Sequence, residues 1–170
     1  WPHGSDWICE AAIDTYLPAF AGIAQTLSAS PLQMQQTLSA YLVGIALMNL
    51  FHGALSDGFG RRPVILAGIG VFALASVGCA LSDSIGELVA WRVVQGLSGG
   101  AGMVVARAIV RDLFDAVDAQ RMMSHMTLFF GVAPALAPVV GGVLFVQWGW
   151  SSIFWFLAVV GLGLWLWCLA

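Results

Sequence analysis

Long apolar runs separated by short polar breaks dominate this chain. Five runs stand out, at 36–55, 63–81, 88–110, 122–146 and 153–170. The run at 63–81 holds no charged residue, and the run at 88–110 is interrupted by Arg92 and Arg107. A helix needs about 20 residues to cross a bilayer core about 30 Å thick, and each run is near that length. Single strands cannot cross, because their backbone groups would go unpaired in lipid. The pattern therefore predicts membrane-spanning helices. A sixth, partial one is expected at about 7–20, which is short and carries Glu10 and Asp14 among its apolar positions. The breaks differ in character. Residues 22–35 are polar without a cation, 56–62 are charged, 82–87 are acidic and 111–121 are of mixed sign. Residues 147–152 hold Trp148 and Trp150, which suit the headgroup belt.

Composition settles which solvent surrounds these helices. The chain is 60% hydrophobic and 9% charged, with a mean hydropathy of +0.91. A soluble domain carries roughly 25% charged residues, so lipid is the solvent implied here. The net charge is −3 and all six cations are arginine, which excludes a basic nucleic-acid surface. Cys9, Cys79 and Cys168 lack metal-ligand spacing, and so do His3, His52 and His125. No metal or cofactor is expected. No Ser/His/Asp or paired-carboxylate constellation supports an enzyme. The chain starts without Met and stops inside an apolar run, so a piece of a longer protein is expected.

The arginines predict orientation. Arg61 and Arg62 share one break, and Arg107, Arg111 and Arg121 lie at the break two spans later. Both breaks therefore face one side, which the positive-inside rule makes the cytoplasm.

Chemistry concentrates in a few residues. Arg92 lies four residues past the first residue of the run at 88–110, roughly 6 Å deep by helical rise. A cation there needs a partner or a water-filled cavity, unless it snorkels to the interface. Asp14 is its natural partner, both lying toward the extracytoplasmic ends of their helices. Low dielectric favours a protonated carboxyl and a nearby arginine favours the charged form, a balance that can hold and release a proton. The plainer alternative is an Asp14 that caps its helix end beside Pro18. Gly58 and Gly60 allow a tight turn, and Pro63 suits a first helical turn. Pro134 and Pro138 favour a kink, and Gly141 and Gly142 favour close packing. Gly96, Gly99, Gly100 and Gly102 also point to a close helix contact. Tyr41 and Met48 are candidates for a cavity wall.

Several of these stretches resemble one family. Gly53-Ala54-Leu55-Ser56-Asp57-Gly58-Phe59-Gly60-Arg61-Arg62-Pro63 is similar to the signature between the second and third helices of the major facilitator superfamily. Asp14-Thr15-Tyr16-Leu17-Pro18-Ala19 resembles the first-helix end of its Bcr/CflA drug-resistance branch. Arg92-Val93-Val94-Gln95-Gly96 resembles the fourth-helix motif. Pro134, Pro138, Gly141 and Gly142 resemble the fifth-helix antiporter motif, although alanine stands at Ala133 and Ala137 where glycine would be expected. The resemblance implies an all-α integral membrane fold, the six-helix amino-terminal half of a twelve-helix carrier with its first helix truncated. It implies proton-coupled efflux of small amphipathic drugs from a bacterial inner membrane by alternating access. It also implies roles: Asp14 exchanges protons, Arg92 tunes it, and Gly53, Asp57, Gly60, Arg61, Arg62 and Arg107 gate the cytoplasmic side. The partners implied are protons, the drug, the bilayer and a carboxy-terminal half. A non-transporting fragment and a carrier of another small metabolite are the rival readings.

Overall fold

The computed structural model describes residues 12–113 and 115–169, with the side chains of all but 52–54, 57, 101–109, 111–113, 116 and 126–135. Every regular element among the described residues is helical. After a helical turn at 12–14 come a 3-10 turn at Leu17–Ala19 and then α1 (Phe20–Thr26), α2 (Pro31–Phe59) and α3 (Arg61–Ala80). They are followed by α4 (Ile85–Leu113), α5 (Ala116–Trp148) and α6 (Ser151–Leu169).

Helix ends depart from the apolar runs where local chemistry governs them. The partial first helix was expected at 7–20, of which 7–11 lie outside the described residues. The described part breaks at Pro18 and resumes as α1 as far as Thr26. A proline has no N–H and its ring clashes with the carbonyl four residues back. The chain tightens there into i→i+3 bonds, Tyr16 N–H to Ile13 O and Ala19 N–H to Tyr16 O, both 3.1 Å. The polar stretch 22–35 is thus mostly helical rather than a connector. Helix α2 starts at Pro31, ahead of the apolar run at 36–55, because Ser30 and Gln33 form a capping box. The Ser30 hydroxyl accepts from Gln33 N–H and the Gln33 side chain accepts from Ser30 N–H. Helices α4 and α5 likewise outrun 88–110 and 122–146, since hydropathy marks contact with lipid and not the extent of a helix. Helices α3 and α6 lie within two residues of 63–81 and 153–170, though residue 170 is not described.

Helix α4 packs along both α2 and α3, α6 packs along α3, and the 3-10 turn packs on α5. The α2–α4 crossing is backbone on backbone. A Cβ on Gly96 would collide with the Tyr41 carbonyl, and one on Gly44 would lie 2.8 Å from the Val93 carbonyl oxygen. Small residues permit this approach and the dispersion contact it brings. Gly60 joins α2 to α3 with φ of +88°, a conformation open to glycine and strained for a residue with a Cβ. Tyr16, Met34, Tyr41, Phe72, Leu88 and Phe154 fill the core between the helices. Among the described residues α3 and α6 are long and apolar enough to cross a membrane. Their outward faces carry exposed Leu74, Trp155, Val159 and Leu166, which in lipid need no cover.

Candidate functional site

The sharpest feature of the core is a buried charge. Arg92 on α4 has no exposed surface. Its guanidinium lies over the rings of Tyr16, Tyr41 and Phe154, at 4.1, 4.9 and 5.4 Å from their centroids. The three rings come from the first segment, α2 and α6. Each ring face attracts the cation, by roughly 0.5 to 2 kcal/mol when desolvated. Nη1 donates to Gln95 Oε1 at 2.9 Å, and both Nη atoms approach the Ala12 carbonyl at 3.4 Å. Nε is buried and has no hydrogen-bond partner among the described residues. The guanidinium is thus held by a carbonyl, an amide and three rings.

The sequence predicts Asp14 as the partner of Arg92, and the structure does not show that pair. Among the described residues no carboxylate bridges Arg92. Ala12 and Tyr16, four residues apart, both meet Arg92, while Asp14 lies midway between them and is half-buried. Residues four apart share a face of a helical turn and residues two apart do not. Arg92 therefore grips the segment that carries Asp14 rather than the carboxylate itself.

Two hydrogen-bond chains brace the cage. Tyr16 Oη lies 2.7 Å from Thr37 Oγ1, and the Thr37 hydroxyl donates to Met34 O at 2.6 Å. With its proton committed, Thr37 accepts from Tyr16. On the other side Gln95 Nε2 donates to Ser76 Oγ at 2.8 Å, and Ser76 donates to Phe72 O at 2.8 Å. Arg92 and Gln95 can share the guanidinium bond because i and i+3 lie on one helix face.

The other expected residues fall elsewhere. Gly53 and Asp57 lie in the last turns of α2, Gly60 at the junction, and Arg61 and Arg62 in the first turn of α3. Arg62 Nη2 donates to the Leu169 and Cys168 carbonyls of α6, at 2.8 and 3.4 Å. A cation suits a helix carboxyl end. The side chains of Asp57 and Arg107, both expected in the gating motif, lie outside the described residues. Helix α5 runs continuously through Pro134 and Pro138. Gly141 is buried against the Thr15 backbone, while Gly142 faces open space. Met48 lines an apolar cleft of about 490 Å³ between α2, α3 and α4, with Phe59, Val64, Val71 and Leu97. Tyr41 does not; it is buried in the cage.

Sequence reasoning missed Tyr16, Phe154, Ser76 and Thr37 as parts of this site. A signal existed for Ser76, a hydroxyl inside a charge-free span. The rings carried no such signal, because aromatic residues in apolar runs are commonplace core.

Known proteins agree with this architecture. The sequence pattern of the Major Facilitator Superfamily matches residues 7–170. A bicyclomycin resistance protein homolog of Haemophilus influenzae is 41% identical over 150 residues, which is 88% of this chain and 38% of that protein. Multidrug resistance protein MdtL of Escherichia coli is 38% identical over 154 residues, 91% of this chain and 39% of that protein. The chain thus spans about two fifths of these relatives. The crystal structure of the human organic anion transporter MFSD10 (TETRAN) superposes with a TM-score of 0.76 at 21% identity. That superposition covers 98% of this chain and 45% of the human one, and it establishes the shared fold. With the motif between α2 and α3, the Arg92–Gln95 pair on α4 and a match over nearly its whole length, the chain belongs to the Major Facilitator Superfamily.

Proposed function

We propose that this chain is the amino-terminal half of a proton-coupled carrier that exports small amphipathic drug-like molecules across a bacterial inner membrane. The observation that carries the reading is the buried Arg92 guanidinium, held on the segment that bears Asp14. A charge taken out of water is costly and is retained in membrane helices where it serves transport. The resistance proteins named above support a drug-like substrate. Halves of this fold place the substrate near the bilayer midplane between them and alternate its access.

In this reading Asp14 takes a proton from the outer side as the drug leaves, and releases it inward after the carrier turns. Arg92 sets the potential of the first segment, residues 12–19, without neutralising the carboxylate directly. Asp57, Arg61 and Arg62, with Arg107, latch the cytoplasmic side in one state. In the same reading a carboxy-terminal half supplies the opposite wall of the cavity. The full-length parent carrier in inverted vesicles is expected to accumulate drug from a broad panel, and a protonophore to abolish that uptake. Uptake insensitive to the protonophore would remove proton coupling, and uptake of a metabolite in place of any drug would change the substrate class.

A further inference from the structure

The chain of hydrogen bonds from Arg92 to α3 has only one direction open to it. The Phe72 carbonyl can only accept, so Ser76 spends its single proton there, at 2.8 Å. Toward Gln95 the Ser76 oxygen can then only accept, and Gln95 Nε2 donates to it at 2.8 Å. That fixes the amide with Oε1 toward Arg92, whose Nη1 can only donate, at 2.9 Å. An acceptor at one end and a donor at the other leave no second arrangement for the two ambivalent groups between them. Ser76, Gln95 and Arg92 are all buried, so water has no access to repair a broken link.

We propose that Ser76 is a positioning residue: through Gln95 it fixes the orientation of the Arg92 guanidinium, and with it the pH range over which the carrier exchanges its proton. Its consequence for proton exchange rests on the proton-coupled reading above; its structural core does not. Without the Ser76 hydroxyl the Gln95 amide loses its anchor on α3, is held at the Arg92 end alone, and is free to swing on its own torsions. Swung aside, it would leave Arg92 Nη1 without its 2.9 Å acceptor. Arg92 would then keep the Ala12 carbonyl and the three rings, which confine it without setting its rotation.

The test uses the full-length parent carrier, labelled with nitrogen-15 arginine in lipid nanodiscs. Rotation about the guanidinium C–N bonds is expected to be slow at Arg92, giving two resolved Nη signals that vanish in Arg92→Lys. Ser76→Ala is expected to merge them, Ser76→Thr to restore them, and Gln95→Met to merge them from the other side. In the same samples the pH midpoint of drug-driven proton release is expected to move in Ser76→Ala by about half a unit or more and to return in Ser76→Thr. Resolved signals that persist in both Ser76→Ala and Gln95→Met would overturn the proposal, as would a release slowed equally at every pH. Should Ser76→Ala fail to accumulate, Gln95→Met decides. If the wild type releases no proton at all, the proton-coupled reading fails, while the signal pattern still shows whether Ser76 orients Arg92.

Discussion

Gly96→Leu is expected to abolish the folded carrier, while Gly163→Leu leaves it intact. The neighbour that a Cβ on Gly96 would strike is the Tyr41 backbone, which cannot rotate away. Opposite it, Gly44 already lies against the backbone of Val93 and Leu97. Relief would require α2 and α4 to separate along the crossing, and Tyr41 and Arg92 ride on those two helices. Overpacking alone costs about 1 to 3 kcal/mol, and the parted cage adds to it, so the loss should exceed about 3 kcal/mol. Gly163 meets nothing within 4 Å and faces outward. Gly78→Ala should fall between the two, since its Cβ would meet the Trp91 ring, a side chain with room to shift. Yield and unfolding temperature in detergent, followed by size exclusion, rank the three. Equal stability of Gly96→Leu and Gly163→Leu would mean that the α2–α4 crossing is looser than the structure shows.

Arg92→Lys is expected to lower transport about a hundredfold in a protein that still folds. Lysine keeps the charge and can lie against the rings. Its ammonium is a compact point and cannot reach Gln95 Oε1 and the Ala12 carbonyl in the planar fork that Arg92 uses. Losing one or two charge-assisted bonds amounts to about 2 to 3 kcal/mol, which is roughly a hundredfold in rate. Arg121→Lys serves as the control. Arg121 is exposed and pairs with Asp118 at 3.8 Å within one helix turn, a surface pair of little weight. Wild-type transport in Arg92→Lys would leave charge alone as the requirement and remove the geometric role.

Most of the fold was legible in the sequence because lipid imposes a single rule. A charge-free run such as 63–81 has little choice but to cross, and α3 follows it closely. Legibility fails where backbone chemistry acts outside that rule. The Ser30–Gln33 box carries α2 into a polar stretch, and Pro18 splits the first helical segment within an apolar one. At the site the buried cation announced itself, since Arg92 stands in a span with few alternatives for a charge. Its partner was misplaced, because depth along two helices says nothing of which face each presents. Tyr16 and Phe154 entered the cage through the packing of five separate segments, and no local pattern encodes such a meeting. The motif between α2 and α3 was readable as a turn through Gly60, and the bond from Arg62 to the end of α6 spans more than a hundred residues and had no local trace.

The most direct measurement is drug-driven proton release from the full-length parent carrier, wild type beside Asp14→Asn, in detergent or inverted vesicles. Release in the wild type that vanishes in Asp14→Asn, with the folded yield unchanged, is the predicted result. Release that continues undiminished in Asp14→Asn would contradict the role of Asp14 as the proton carrier, whatever the substrate proves to be.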